Sequence, residues 1–154
     1  MIGGLREMSY AARALPWKLA AHTGFVRRAV HPVQYVVENA NWSIRWDGES
    51  ICDAIEKRAP GTISVTHRPY LYANSVMHFG SQYMWLAWGP HLHRGNQYVA
   101  TFYHGKREDG DGVARHIDMF LESVPRLARV VTAATLIEDR LKGSGIPSDK
   151  IVRI

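Results

Sequence analysis

The last third of the chain alternates short apolar runs with segments whose apolar residues recur every three to four positions. Short apolar runs are typical of buried strands, and the three-to-four spacing is typical of a helix with one buried face. The pattern predicts, in chain order, a strand over 98–104, a helix over 117–127, a strand over 129–132, a helix over 135–142 and a strand over 150–154. Strands and helices that alternate in this way form a parallel sheet covered by helices.

The preceding part of the chain adds three more predicted strands, over 32–38, 62–66 and 75–79. A helix is predicted from Asp47, which can cap it, to about residue 58, with one or two further helical turns over 82–88. Only about eight residues separate the strands at 62–66 and 75–79, which is short for a crossover between neighbouring parallel strands.

These elements predict an α/β fold, a Rossmann-like three-layer sandwich with a mostly parallel sheet of about six strands. We expect a basic N-terminal arm or helix over 1–30 and one Rossmann-like domain over 31–154. In the last helix, Thr135 and Glu138 have the spacing of a capping box, and Gly143 is expected to close the helix in the left-handed conformation.

Composition fits a globular domain rather than a disordered chain, with 46% hydrophobic and 21% charged residues. The net charge of +5 is uneven, because the first 28 residues carry several basic side chains against one acid, Glu7. Such an arm suits an anionic membrane surface, and a solvated helix or a leader segment remains an open alternative. No apolar run approaches the ~20 residues of a spanning helix. The lone cysteine fits a reducing cytosol, so we expect a cytoplasmic protein, with peripheral membrane contact through the arm as the alternative.

Several other chemistries find little support. Cys52 is the sole cysteine, which excludes an intrachain disulfide, and its apolar neighbours Ile51 and Ile55 favour a buried, inert thiol. His91 and His93 lack the further ligands that zinc requires, so we predict no metal. No glycine-rich phosphate loop occurs. We predict no nucleic-acid partner, because the basic excess is confined to the arm.

Ligands of a parallel α/β sheet bind beyond the carboxyl ends of its strands. The polar residues expected there are Asn39 and Asn41, His67 and Arg68, His78 and Ser81, His104 and Gly105, and Thr132. His104 is the strongest catalytic candidate, because the glycine after it leaves the ring free to hydrogen-bond a hydroxyl. The alternatives are a histidine bonded to backbone for His104, a core position for His78 and a solvated loop for His67.

Four segments of the chain resemble the N-terminal domain of the family 4 glycosyltransferases, which have the GT-B architecture of two Rossmann-like domains. The segment 101–105 is similar to that family's strand closing on a His-Gly pair, and 75–81 is similar to the end of its third strand. The segments 128–135 and 145–154 are similar to its run towards the interdomain linker. The resemblance covers about 33–154 and is moderately specific as an ordered set.

The resemblance implies a domain that holds the sugar or glycan acceptor while a nucleotide-sugar donor, the co-substrate in place of any other cofactor, is bound by a second domain. The substrate-binding residues are then those at the strand ends, with His104 as the catalytic one. The chain ends inside its last predicted strand, so we expect the isolated chain to be inactive and its uncovered cleft to permit self-association. Gly3 and Gly4 precede any strand, so the family's donor loop is not assigned to them. A non-catalytic sugar- or partner-binding module is the alternative.

Overall fold

The structure is a computed structural model that describes residues 12–16, 19, 27–28, 30–40, 43–103 and 105–154. Most of the expected basic arm over 1–30 lies outside the described residues. Two of the candidate site residues, Asn41 and His104, also lie outside them. The expectations for these positions remain predictions.

Six of the described strands form one sheet in which every neighbouring pair is parallel. The eight described strands are β1 (Arg27–Arg28), β2 (Val33–Val36), β3 (Ile63–Thr66), β4 (Tyr72–Ala73), β5 (Val76–Phe79), β6 (Gln97–Thr101), β7 (Arg129–Thr132) and β8 (Ile151–Arg153). Their order across the main sheet is β3-β2-β5-β6-β7-β8, and β1 pairs with β4 in a separate parallel ribbon.

Helices cover both faces of this sheet. They are α1 (Ser43–Glu56), α2 (Gln82–Trp88), α3 (Asp111–Ser123) and α4 (Thr135–Gly143). On one face, α1 packs through Cys52 against Tyr35, Val37 and Ile63. On the other face, α2, α3 and α4 pack in a larger apolar core that contains Phe79 and Phe120. The predicted α/β class with a Rossmann-like three-layer arrangement is confirmed.

The direction of the chain across the sheet reverses once, between β2 and β5. From β2 the chain runs to the edge strand β3, and from β5 it runs the other way through β6, β7 and β8. Right-handed crossovers then require α1 on one face and α2 to α4 on the other, which is what the two cores show. The short link after β3 therefore crosses β2 to reach β5, and it contains a 3₁₀ turn (Pro69–Leu71) and β4 instead of an α-helix.

Helix α3 begins at Asp111 and ends at Ser123, so the predicted bounds of 117–127 were wrong at both ends. Three further details of the helices differ from the sequence predictions. Helix α1 begins at Ser43, so Asp47 lies inside the helix and does not cap it. Its buried positions include Gly48, which packs against β2 although glycine has no apolar side chain that would mark the position as buried in the sequence. Burial raises the pKa of the Cys52 thiol to about 11, which agrees with the predicted inert thiol.

The second difference is the start of α4, where no capping box forms. The N-cap residue is Ala134, and no side chain caps the helix. The Thr135 hydroxyl instead accepts a hydrogen bond from Arg153 at 3.3 Å, and the Glu138 carboxylate binds Lys142 and Arg153. These partners occupy both groups that the capping box would need.

The third difference is the end of α4, where Gly145 rather than Gly143 has the positive φ, +88°. The Gly145 amide donates to the Lys142 carbonyl, and the Ile146 amide donates to the Leu141 carbonyl. This pair of bonds is the Schellman motif, and its apolar contact is supplied by buried Leu141 and Ile146. The left-handed glycine therefore lies two residues later than the sequence pattern indicated.

Candidate functional site

A cleft of about 540 Å³ opens where the chain reverses direction across the sheet, at the carboxyl ends of β2 and β3. We call it the switch-point cleft. Its polar wall comes from the chain after these strands and from one residue of the N-terminal segment: Glu38, Asn39, His67 and Arg13. Its other wall comes from α2 and α3, and includes Tyr83, Trp88, His116 and Met119. Crevices at such reversal points are where open α/β sheets bind ligands.

The cleft exists because the chains that leave the neighbouring strands β2 and β5 pass to opposite faces of the sheet. The ladder continues one residue past β2, with the Gly80 amide donating to Val36 O at 2.9 Å and the Val37 amide donating to Thr66 O at 3.1 Å. A Cβ atom at Gly80 would lie 3.0 Å from the Tyr35 ring and 3.3 Å from Val36 O. The missing side chain therefore lets the two strand ends lie close together before they separate.

His67 has the clearest chemical role among the cleft residues. Its Nδ1 lies 3.3 Å from the carbonyl oxygen of Val37. A carbonyl oxygen can only accept a hydrogen bond, so the proton of the neutral ring belongs on Nδ1 and Nε2 carries the lone pair. A half-buried imidazole held in this way can accept a hydrogen bond, or a proton, from a ligand hydroxyl.

Glu38 and Asn39 add further hydrogen-bonding groups beside His67. Glu38 is half-buried and Asn39 is exposed, and they lie two and three residues after the end of β2. The cleft therefore combines a carboxylate, an amide that donates and accepts, and an imidazole. A ligand with several hydroxyl groups would find partners for both its O–H donors and its oxygen acceptors.

An aromatic wall faces these polar groups. Tyr83 of α2 stacks on His116 of α3 with ring centroids 4.1 Å apart and an angle of 25° between the planes. Tyr83 is 44% exposed, which leaves ring surface for a ligand. The strand-end pattern does not include these two residues because they lie on helices, although an aromatic side chain two residues after Ser81 was a usable signal.

Two other predicted site residues, His78 and Ser81, make hydrogen bonds within the fold and do not line the cleft. His78 bonds through Nε2 to Thr101 Oγ1 at 2.9 Å, and its ring lies 4.7 Å from that of Tyr35. Burial lowers the pKa of His78 to about 4, so the ring is neutral at pH 7. Ser81 is almost fully buried and caps α2, its hydroxyl accepting a hydrogen bond from the Met84 amide at 3.3 Å.

The remaining predicted residues lie away from the switch-point cleft. Thr132 is fully buried, and its carbonyl accepts a hydrogen bond from the Ile154 amide. Arg68 is exposed beside His67 but does not line the cleft. Gly105 has a φ of +123°, a region that favours glycine, and lines a separate pocket of about 190 Å³ beside Arg140. Of the predicted residues that the structure describes, it brings together Asn39 and His67.

The described residues include no group of three or more His, Cys, Asp or Glu side chains placed to hold a metal ion. None of the described helices has the length and apolarity needed to cross a bilayer. Compared with protein-family models, with curated proteins and with solved structures, the chain has no match.

Proposed function

We propose that this chain is the acceptor-side domain of a glycosyltransferase, with a sugar or glycan acceptor bound in the switch-point cleft. The observation that carries the proposal is His67, held on the Val37 carbonyl with Nε2 as an acceptor, in a cleft walled by the exposed ring of Tyr83. Sugars present hydroxyl groups at their rim and C–H groups on their ring faces. The polar and aromatic walls of the cleft match these two kinds of surface.

In this proposal the acceptor hydroxyl donates to His67 Nε2, while Glu38 and Asn39 bind neighbouring hydroxyls. These contacts fix the orientation of the attacking oxygen, which is a large part of what an acceptor domain contributes to sugar transfer. The nucleotide-sugar donor is held by a second domain, and its departing diphosphate requires positive charge in the assembled enzyme. Arg13 is among the described residues that line the cleft, and its guanidinium would contribute part of this positive charge. The catalytic role of His104 stays a prediction.

A non-catalytic sugar-binding module is the second candidate. The observation that favours it is that Glu38 is the single carboxylate among the described residues lining the cleft. Glycosyl transfer or hydrolysis by protein carboxylates alone would need a pair of them. Catalysis in this protein therefore depends on groups that another domain brings, whereas binding does not.

The first test measures sugar binding by the isolated chain and by two neighbouring variants. A panel of mono- and oligosaccharides is titrated into wild type, His67→Ala and Arg68→Ala, with binding followed by calorimetry and by NMR shifts. We expect His67→Ala to weaken binding by about three- to tenfold, the value of one hydrogen bond. Arg68→Ala is the matched control, because Arg68 is adjacent and exposed but does not line the cleft. Binding that His67→Ala leaves unchanged would contradict the proposed site.

The second test separates the two candidate functions. Turnover of nucleotide sugars is measured for this chain and for a longer protein that includes whatever its gene encodes after Ile154. If the longer protein turns over nucleotide sugar and this chain does not, the result supports the glycosyltransferase proposal. If the longer protein binds sugar but consumes no donor, the binding module is the correct function.

A further inference from the structure

A second cleft, of about 870 Å³, lies at the amino ends of the strands, opposite the carboxyl ends that form the switch-point cleft. It lies where β6 begins and where the chain leaves α3. We call it the amino-edge cleft. Its apolar floor is formed by the buried side chains of Leu92 and Tyr98, and its rim carries His93, Arg94 and Arg126. None of its lining residues belongs to the switch-point cleft, so it is a separate site.

Arg126 is held in place by two contacts. Its guanidinium lies 5.2 Å from the centre of the Trp85 ring, and its Nη2 donates to the carbonyl oxygen of Gly89 at 2.5 Å. Trp85 is itself fully buried and donates to Ser123 Oγ at 2.7 Å. A guanidinium has five N–H donors, so an arginine fixed through one of them keeps others for a ligand.

The walls around Arg126 are also fixed by internal hydrogen bonds. The Tyr98 phenol donates to the His93 carbonyl. The Asn96 side chain accepts from the Ser75 amide at 3.1 Å and donates to the Tyr72 carbonyl at 3.0 Å. The cleft therefore has a shape that exists before any ligand arrives, which lowers the entropic cost of binding.

The charge of the cleft is one-sided. Among the described residues that line it are two arginines and a histidine, and none of these described residues is an Asp or Glu. Arg94 forms no ion pair with any described residue. Glu122 lies one helical turn before Arg126, but these two residues form no ion pair with each other. Two arginines that line one cleft give it a positive potential, which favours an anionic ligand.

We propose that the amino-edge cleft binds a small organic phosphate, with its oxygens on Arg94 and Arg126 and its apolar part on Leu92 and Tyr98. Guanidinium groups bind phosphate oxygens in pairs of parallel hydrogen bonds, a geometry that a fixed arginine favours. The site lies at the amino ends of the strands, so it would bind its ligand independently of the sugar in the switch-point cleft.

The test titrates inorganic phosphate, pyrophosphate and phenyl phosphate into the chain at constant ionic strength, with NMR shifts of Leu92, Asn96 and Tyr98 as the readout. We expect saturable binding, tightest for phenyl phosphate because its ring can cover the apolar floor. Charge-assisted hydrogen bonds of this kind are worth about 1.5–3 kcal/mol, so Arg94→Gln should weaken binding at least tenfold. Arg126→Gln should do the same.

Arg129→Gln is the matched control, because this exposed arginine at the start of β7 donates to its neighbour's carbonyl at 2.8 Å and does not line the cleft. It should bind phosphate as the wild type does. An equal loss in Arg129→Gln would reveal a diffuse basic surface and overturn the proposal, as would shifts that do not saturate or phenyl phosphate binding no tighter than phosphate. Should Arg126→Gln destabilise the protein, Arg94→Gln still decides the question. Sugar binding at His67 is a separate readout and should not change.

Discussion

The carboxyl ends of β2 and β3 and those of β5 and β7 all carry polar side chains, but the two regions use them differently. After β2 and β3, Asn39 and His67 line an open cleft. At β5 and β7, Ser81 caps a helix and Thr132 is fully buried in the fold. A polar residue at a strand end is thus available to a ligand in the first region and occupied by the fold in the second.

The difference follows from where the connections run. The chain leaving β2 passes to the α1 face, and the chain leaving β5 passes to the opposite face, so a gap opens between them. The chains leaving β5, β6 and β7 all pass to the same face, where α2, α3 and α4 share one core. The reversal of strand order therefore identifies the ligand site better than the strand ends themselves do.

The largest predicted effect belongs to His78, in the region where polar groups serve the fold. Burial lowers its pKa to about 4 in the folded protein, against about 6.5 in the unfolded chain. The contribution to stability is complete above pH 6.5 and is lost as the pH falls towards 4, because the unfolded chain then binds a proton that the folded protein does not. The loss amounts to about 3 kcal/mol over that window.

Urea unfolding of wild type and His78→Gln at pH 7 and pH 4.5 measures this contribution. The free energy of unfolding should fall more steeply with acidification in the wild type than in the variant, since other titrating groups are common to both. Parallel losses in the two proteins would mean that His78 is not buried as described. It would then be available to a ligand, and the contrast between the two regions would disappear.

Much of the fold could be predicted from the sequence because its signals are local. Strand β7 and helix α2 have the predicted bounds, since β7 contains a clear apolar pair and α2 lies between Ser81 and Gly89. The start of α1 was missed because Asp47, a residue type that commonly caps helices, lies four residues inside the helix instead of at its start. The order of the strands is a choice among distant partners, which no local pattern specifies.

The candidate site was less predictable for the same reason. Reading polar residues off strand ends found Asn39 and His67, but it also selected Ser81 and Thr132, whose partners become visible only in three dimensions. The aromatic wall was missed because Tyr83 and His116 come from two helices, α2 and α3, whose packing against each other no local pattern specifies. A sequence gives the chemistry of each side chain. The position of the site depends on which neighbouring strands are followed by connections to opposite faces of the sheet.

A smaller effect is expected at Gly48, where α1 packs against the β2 end that forms the cleft. A Cβ atom there would lie 2.5 Å from Val37 Cγ1 and 2.9 Å from the Tyr35 ring. Overpacking costs about 1–3 kcal/mol, and the better helix propensity of alanine offsets part of it. We expect Gly48→Ala to lower the free energy of unfolding by about 1–2 kcal/mol, and to weaken sugar binding because Val37 lines the cleft.

Gly112→Ala is the matched control for this substitution. Gly112 also lies in a helix, α3, but a Cβ atom there would meet nothing within 4 Å. Alanine should therefore stabilise the protein by about 0.4–1 kcal/mol through the unfolded chain and leave sugar binding unchanged. Equal stabilities for Gly48→Ala and Gly112→Ala in urea unfolding would exclude the close packing of α1 on β2.

The smallest predicted effect decides between two roles for Ser81. If its hydroxyl only caps α2, Ser81→Ala should lower the free energy of unfolding by about 1 kcal/mol and leave sugar affinity unchanged. Ser148→Ala, which changes an exposed serine, should stay within about 0.5 kcal/mol of wild type. Urea unfolding and calorimetric titration of the same samples give both quantities. A loss of sugar affinity without a loss of stability would place Ser81 among the ligand-binding residues, and would extend the open region from β2 and β3 to the end of β5.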